Sequence, residues 1–415
     1  MNVIKTARRS RFSFSATLLP AIVLLTALAA APSAFAASAT WTGTTNSTWS
    51  TVTNWTVGGP PGTGDTATFN NAGNGNTTLN LGAGVIVNTI LFDTSSAAAY
   101  TIGSGAVGSQ TLTLNDSGAI TVNSTVTNNE TVNANVILGL LRGVVSTISL
   151  TNNSTTPGQL LTFAGSISPT TLGIGGATSK TLALGGSGNG AVTGIISGTG
   201  AGNNPTLALT KSGTGTWTLS GTNTYVGTTT VTGGTLLING NQSAATGAVT
   251  VSNSGTALGG TGTIGGPVTI NSGARILGGT GAAASGALTL ANNLTLNSGS
   301  IIELALGAAG AHSTLARTGS GTWSFQSNQA FTFIDLGATV GTYNNIITGL
   351  ASDPGTGSWT ITNSGFAGTF TFDGANIDLT LGAVPEPSTW IGGALALAAL
   401  GYTQRRRFVR PRKQF

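Results

Sequence analysis

The stretch VTVSNSGTALGGTGTIGGPVTINSGARILGGTG, residues 249–281, contains two versions of one pattern. Val249-Thr250-Val251 leads to NSGTALGGTG, and nineteen residues on Val268-Thr269-Ile270 leads to NSGARILGGTG, so that Leu277 answers Leu258. Leu294-Thr295-Leu296 opens a third version, NSGSIIELALG, twenty-six residues after Val268. Each version is an apolar-x-apolar triplet, a Gly/Asn/Ser turn and a second short apolar stretch. Side chains alternate between the two faces of a strand, so the outer residues of each triplet point one way and the threonine the other. Strands this short bury little alone. Stacked as parallel rungs about 4.8 Å apart, they share one apolar core and satisfy each other's backbone groups.

A second element recurs as GTWTL (215–219), GTWSF (321–325) and GSWTI (357–361). In the first of these Trp217 and Leu219 share one face, and Thr216, Thr218 and Ser220 the other. Glycine and asparagine suit the corners, where positive φ is needed, and small residues let coils approach closely. Asparagine and threonine are expected to form side-chain ladders along the stack. At roughly 20–25 residues per rung the chain accommodates about fourteen rungs, a stack near 65–70 Å.

The composition agrees with an all-β chain. Glycine is 64 of 415 residues and charged residues are 6%, against about 25% in average proteins. Disordered chains are usually charged and poor in β-branched residues, whereas valine, isoleucine and threonine recur here in alternating runs. The net charge of +5 belongs to the two ends. Between Ala37 and Val384 there are five basic residues against nine acidic ones, so no basic face for nucleic acid is expected. Cysteine is absent, which excludes a disulfide framework, a thiol nucleophile and a thiolate metal site.

The N-terminus has a basic region, an apolar run from about Leu18 to Ala31, and the small-x-small pattern Ala34-Phe35-Ala36. This predicts a cleaved signal peptide over 1–36, with signal peptidase leaving Ala37 first. Arg8-Arg9 is followed by Phe12 one place too late for a twin-arginine signal, so the general secretory route is expected. Near the other end, Trp390 to Tyr402 is a thirteen-residue apolar run, short of the ~20 that span a bilayer comfortably. Arg405, Arg406 and Arg407 follow it as a membrane stop on the cytoplasmic side.

Val384-Pro385-Glu386-Pro387-Ser388, the apolar segment and the three arginines together closely resemble the PEP-CTERM sorting signal. The resemblance implies that a short transmembrane helix in 384–415 holds the exported protein transiently at the inner membrane. An exosortase would then cut near the Pro-Glu-Pro. Two prolines around a glutamate also leave an extended, accessible stretch that an enzyme can grip.

Lys211–Gly240, KSGTGTWTLSGTNTYVGTTTVTGGTLLING, resembles the autotransporter-associated β-strand repeat, with weaker copies to about Gly281. That resemblance implies a right-handed parallel β-helix of the surface type. No run of alternating ~10-residue strands that would make an outer-membrane barrel is found. The expected organisation is a signal helix (1–36), a Trp-rich cap (37–69), β-helix repeats (70–300), terminal coils and cap (301–383), and the sorting segment (384–415).

Trp41, Trp49 and Trp55 precede a Pro-Gly-Asp turn and read as an aromatic cap on the first rung, with glycan contact as their alternative role. No catalytic set stands out. His312 is the single histidine, in GAAGAHSTLA. Asp65, Asp93, Asp116 and Glu130 are scattered, and Arg142, Lys180, Lys211, Arg275 and Arg317 are isolated. Polysaccharide lyases on β-helices need such groups clustered. Asp373 and Asp378 in FDGANID fit a hairpin corner better than paired acid catalysis or calcium binding. The expectation is an exported, non-enzymatic structural or adhesive protein with no cofactor and no metal. Its partners would be the two processing enzymes, extracellular polysaccharide and other copies of itself. A carbohydrate-binding or polysaccharide-degrading β-helix is the alternative.

Overall fold

Val249, Thr250 and Val251 lie opposite Val268, Thr269 and Ile270, which lie opposite Leu294, Thr295 and Leu296, all in parallel register. The triplets are thus successive coils of one ladder. The computed structural model describes residues 38–56, 58–141, 143–171, 178–198, 200, 204–383, 397 and 400. Those up to 383 form an all-β solenoid built of parallel coils. Its first sheet runs from Ala39–Thr40 through Thr66–Phe69 and, coil by coil, to Trp323–Ser324. Its second runs through twelve strands from Thr78–Leu79 to Thr360–Ile361.

The first sheet has its own path of twelve strands, so the described residues make twelve coils, not about fourteen. Coil length explains the difference. Ala257 lies opposite Arg275, eighteen residues away, whereas Glu130 lies opposite Leu161, thirty-one residues away. Near 4.8 Å per coil, twelve coils make a stack of about 55–60 Å.

The GTW elements do not stack on one another. Trp217 lies in the second sheet, in Thr216–Leu219, while Trp323 lies in the first. Trp359 immediately precedes the last strand of the second sheet, Thr360–Ile361. GTWTL and GTWSF thus reach different sheets because the coils between them differ in length, whereas GSWTI runs into the second sheet.

Inward residues of each triplet form columns along the axis. Val231, Val251, Ile270 and Leu296 are all buried, one above the next. Burying each such side chain contributes roughly 1.5–3 kcal/mol, and the columns merge into one continuous core. Close approach of the coils demands glycine before the triplets. A Cβ on Gly247 would lie 2.0 Å from the carbonyl oxygen of Gly227, and one on Gly266 would lie 1.9 Å from that of Gly247.

A third sheet begins at Asn241–Gln242 and passes through Thr263–Ile264, Ala287–Leu290 and Thr314–Arg317 to Gly341–Thr348. There the parallel order ends. Ile377–Leu381 pairs antiparallel with Gly341–Thr348, and Gly368–Phe372 pairs antiparallel on its outer side. Among the described residues no helix is long and apolar enough to cross a membrane. The expected signal helix with Ala34 and Ala36 lies outside the described residues. So do Val384–Ser388 and Arg405–Arg407, together with most of the expected membrane segment.

Candidate functional site

The middle residue of each triplet faces outward, and in consecutive coils that residue is nearly always a hydroxyl. Thr210, Thr230, Thr250, Thr269, Thr295 and Ser324 lie opposite one another along the first sheet. Beside this column runs a hydrogen-bonded amide row. Asn271 Nδ2 donates to Ser252 Oγ at 2.8 Å, and Asn297 Nδ2 donates to Asn271 Oδ1 at 2.7 Å. The second sheet carries a similar column, Thr78, Thr101, Thr131 and Thr162. The surface is neutral, repeats about every 4.8 Å, and offers both donors and acceptors.

The three nominated tryptophans do not present such a surface. Trp41, Trp49 and Trp55 are only 0%, 3% and 5% exposed. Trp55 packs edge-on against both others, at 5.0 Å from Trp41 and 4.8 Å from Trp49, and all three rest on Phe69. Each indole N–H is used internally, Trp41 to Asn76 O, Trp49 to Pro61 O and Trp55 to Trp49 O. Buried Asn54 ties the segment together by accepting from the backbone N–H groups of Thr45 and Asn46 and donating to Thr48 O. Thr48 bridges to Asn80, so the segment closes over the first strand of the second sheet. Rings packed into the core, with every indole N–H used internally, leave no face for a sugar to stack on, which argues against the glycan contact expected of Trp41, Trp49 and Trp55.

Charges that look isolated in the chain meet across coils. Lys180 Nζ pairs with Asp116 at 2.5 Å, and Arg275 with Glu303 at 2.7 Å. Lys211 is fully buried and donates to the carbonyl oxygens of Ser212, Gly213 and Gly233, pinning a corner shared by two coils. Burial pulls its ammonium down to about 8. Glu130 is also buried, accepts from Tyr100 N, and is pushed by burial up to about 9. Its other oxygen has no protein partner. Asp65 accepts from Gly62 N in the Pro-Gly-Asp turn, and Asp93 accepts from Thr94 N and Asn123 Nδ2. Arg142 lies outside the described residues.

His312 contacts the Ser313 carbonyl and Thr314 hydroxyl and meets the Tyr343 ring edge-on. Asp373 sits at the corner of the Gly368–Phe372/Ile377–Leu381 hairpin. Hydrogen bonds from Ala375 N and Asn376 hold its carboxyl below the usual range. Asp378 accepts instead from Asn345 N on the neighbouring strand. Among the described residues no three His, Cys, Asp or Glu side chains are grouped to hold a metal.

A groove of about 270 Å3 lies near the end of the stack, where Arg317–Phe325 meets Leu350–Pro354. Trp323 and Phe325 line it, together with Ser320, Thr322 and Ser352. The spacing of these residues in the chain gives no hint of the groove. Its two walls come from loops of successive coils, and only the coil lengths bring them together.

With its parallel ladders, its outward hydroxyl columns and its aromatic plug, the chain falls in the class of β-solenoids. Residues 209–238 match the family model of the passenger-associated-transport-repeat. The matched segment begins at Leu209 in the first sheet and ends at Ile238 in the second, about one and a half coils, since Leu209 lies opposite Thr229 and Trp217 opposite Leu236. Its distinctive residues are structural. Trp217 is buried and donates to Gly185 O, and Tyr225 shares a hydrogen bond with Thr229 in the core. No curated protein and no solved structure matches the chain.

Proposed function

We propose that this is an exported surface or extracellular-matrix protein whose work is structural or adhesive rather than enzymatic. One observation carries the reading: six consecutive coils place Thr210, Thr230, Thr250, Thr269, Thr295 and Ser324 in one exterior column. A neutral, regularly spaced hydroxyl surface hydrogen-bonds to extended polymers and positions no acid, base or nucleophile. The passenger-type repeat at 209–238 supports a location outside the cell and a right-handed coil. The basic-apolar N-terminus supports export and removal of residues 1–36 by signal peptidase.

In this reading the Val384–Ser388 stretch and Arg405–Arg407 act as a sorting tail. An exosortase-type enzyme releases the body from a transient inner-membrane anchor. Mass spectrometry of the termini in native cells, with membrane and released material separated, tests this. Released chains starting at Ala37 and ending near Pro385–Ser388 are the expected result. Chains held in the membrane with Phe415 intact would make the tail a permanent anchor and overturn the sorting step.

A further inference from the structure

Arg317 is the one described basic side chain that is neither fully buried nor paired with a carboxylate. Lys180 and Arg275 have acidic partners, and Lys211 is enclosed by carbonyls. Arg317 is nevertheless held in place. Its Nε donates to Gly321 O at 2.6 Å and one Nη to Gly349 O at 2.7 Å, bridging two successive coils. Those bonds use two of the five N–H donors a guanidinium carries. The remaining three have no protein acceptor among the described residues, beside a groove of about 270 Å3.

The rest of that groove is aromatic, hydroxylic and, along one wall, aliphatic. Half-buried Trp323 and Phe325 lie in its wall with ring centres 6.2 Å apart. Phe325 stacks on Trp359 at 5.0 Å, and Trp323 donates its indole N–H to Asn292 O, so neither ring is a loose surface side chain. Ser320, Thr322 and Ser352 add hydroxyls to the lining, and Leu350, Ala351 and Pro354 add aliphatic surface. Aromatic faces beside hydroxyls suit the C–H and O–H groups of a sugar ring. A fixed guanidinium suits a carboxylate, which it can grip with two parallel hydrogen bonds. The volume is near the lower end of small-ligand sites, enough for one or two sugar rings.

We propose that this groove binds a carboxylate-bearing sugar of an acidic polysaccharide, with Arg317 taking the carboxylate and Trp323 the ring. The inference rests on the extracellular reading above and supplies its ligand class. It gives the protein a selective foothold at one end, where the threonine columns offer only neutral contact.

The test uses the mature chain with oligogalacturonate and oligomannuronate, each as free acid and as methyl ester, in calorimetric titration. At least one free acid is expected to bind about tenfold or more tightly than its ester, and more weakly as salt rises. Arg317→Gln should abolish that preference, and Trp323→Ala should weaken acid and ester alike by about tenfold. Equal binding of acid and ester by the unaltered protein, or binding of neither, would overturn the proposal. So would an Arg317→Gln protein that keeps its melting temperature and its acid preference. If that variant fails to fold, the acid-versus-ester comparison on the unaltered protein still decides. Failure here leaves the analysis of processed termini untouched, so the two readings fall separately.

Discussion

Thr250 stands directly opposite Thr269 in the neighbouring coil, with Val249 over Val268 on one side and Val251 over Ile270 on the other. The same register that builds the core therefore builds the exterior column. Core and column should separate on substitution. Thr230→Val, Thr250→Val and Thr269→Val together keep the β-branched shape and should change stability by less than about 1 kcal/mol, since the sites are half-exposed strand positions. Adhesion to matrix polysaccharide or to other copies should drop, as measured by co-sedimentation. Unchanged adhesion would remove the column from the function.

Gly247 and Gly255 give a paired test of how closely the coils approach. A Cβ at Gly247 meets the Gly227 carbonyl oxygen at 2.0 Å, whereas one at Gly255 meets nothing within 4 Å although φ is +80°. Gly255→Ala should cost only the left-handed backbone penalty of about 1–2 kcal/mol. Gly247→Ala should cost more, roughly 3 kcal/mol, because the backbone of two coils must separate. Denaturant unfolding of the two variants gives the order directly.

Glu130 predicts a pH dependence with a definite sign. Its folded-state value is near 9 against 4.5 ordinarily, so the folded protein holds a proton that the unfolded chain releases. Stability from this group is full below about 4.5, falls as pH climbs, and levels off above about 9. The slope is at most about 1.4 kcal/mol per pH unit. Glu130→Gln keeps an acceptor for Tyr100 N and removes the titration, so its melting temperature should fall less across that range. Parallel curves for the two proteins would show that Glu130 ionises normally in the fold.

The tryptophan plug should act as a stop on the stack. Trp55→Ala removes a ring that touches Trp41, Trp49 and Phe69, and large core aromatics typically cost about 3–5 kcal/mol when truncated. It also loosens the cover over the Thr78–Leu79 strand, and an exposed sheet edge pairs with other chains. Size-exclusion chromatography should show new higher oligomers for Trp55→Ala. A monomeric variant with an unchanged melt would argue against a capping role.

Much of the fold is legible from residues 249–281. The apolar-Thr-apolar triplets stack with the nineteen- and twenty-six-residue offsets that the sequence contains. They are legible because a strand's alternation and a glycine corner are both local. What lies between the triplets is less so. GTWTL and GTWSF look equivalent, yet Trp217 and Trp323 sit in different sheets, because loop length decides which corner a segment reaches. The cap was half legible: three tryptophans before a turn suggest an aromatic cluster, but only packing shows that every indole N–H is turned inward. The charges and the Arg317 groove were hidden for one physical reason. Asp116 meets Lys180, and Arg317 meets Gly349, across coil offsets that the chain does not write out.

Because each coil touches only the coils before and after it, the stack can be treated as a count of units between two fixed ends. Removing Val249 to Pro267 would bring Val268 to Thr229 and Thr269 to Thr230, and the hydroxyl column would close up with no break in step. The Trp55 plug and the antiparallel hairpin at Gly368–Leu381 would be unaltered. Reach is then an adjustable dimension of this protein, set by how many coils lie between its stoppers and independent of the chemistry each coil displays.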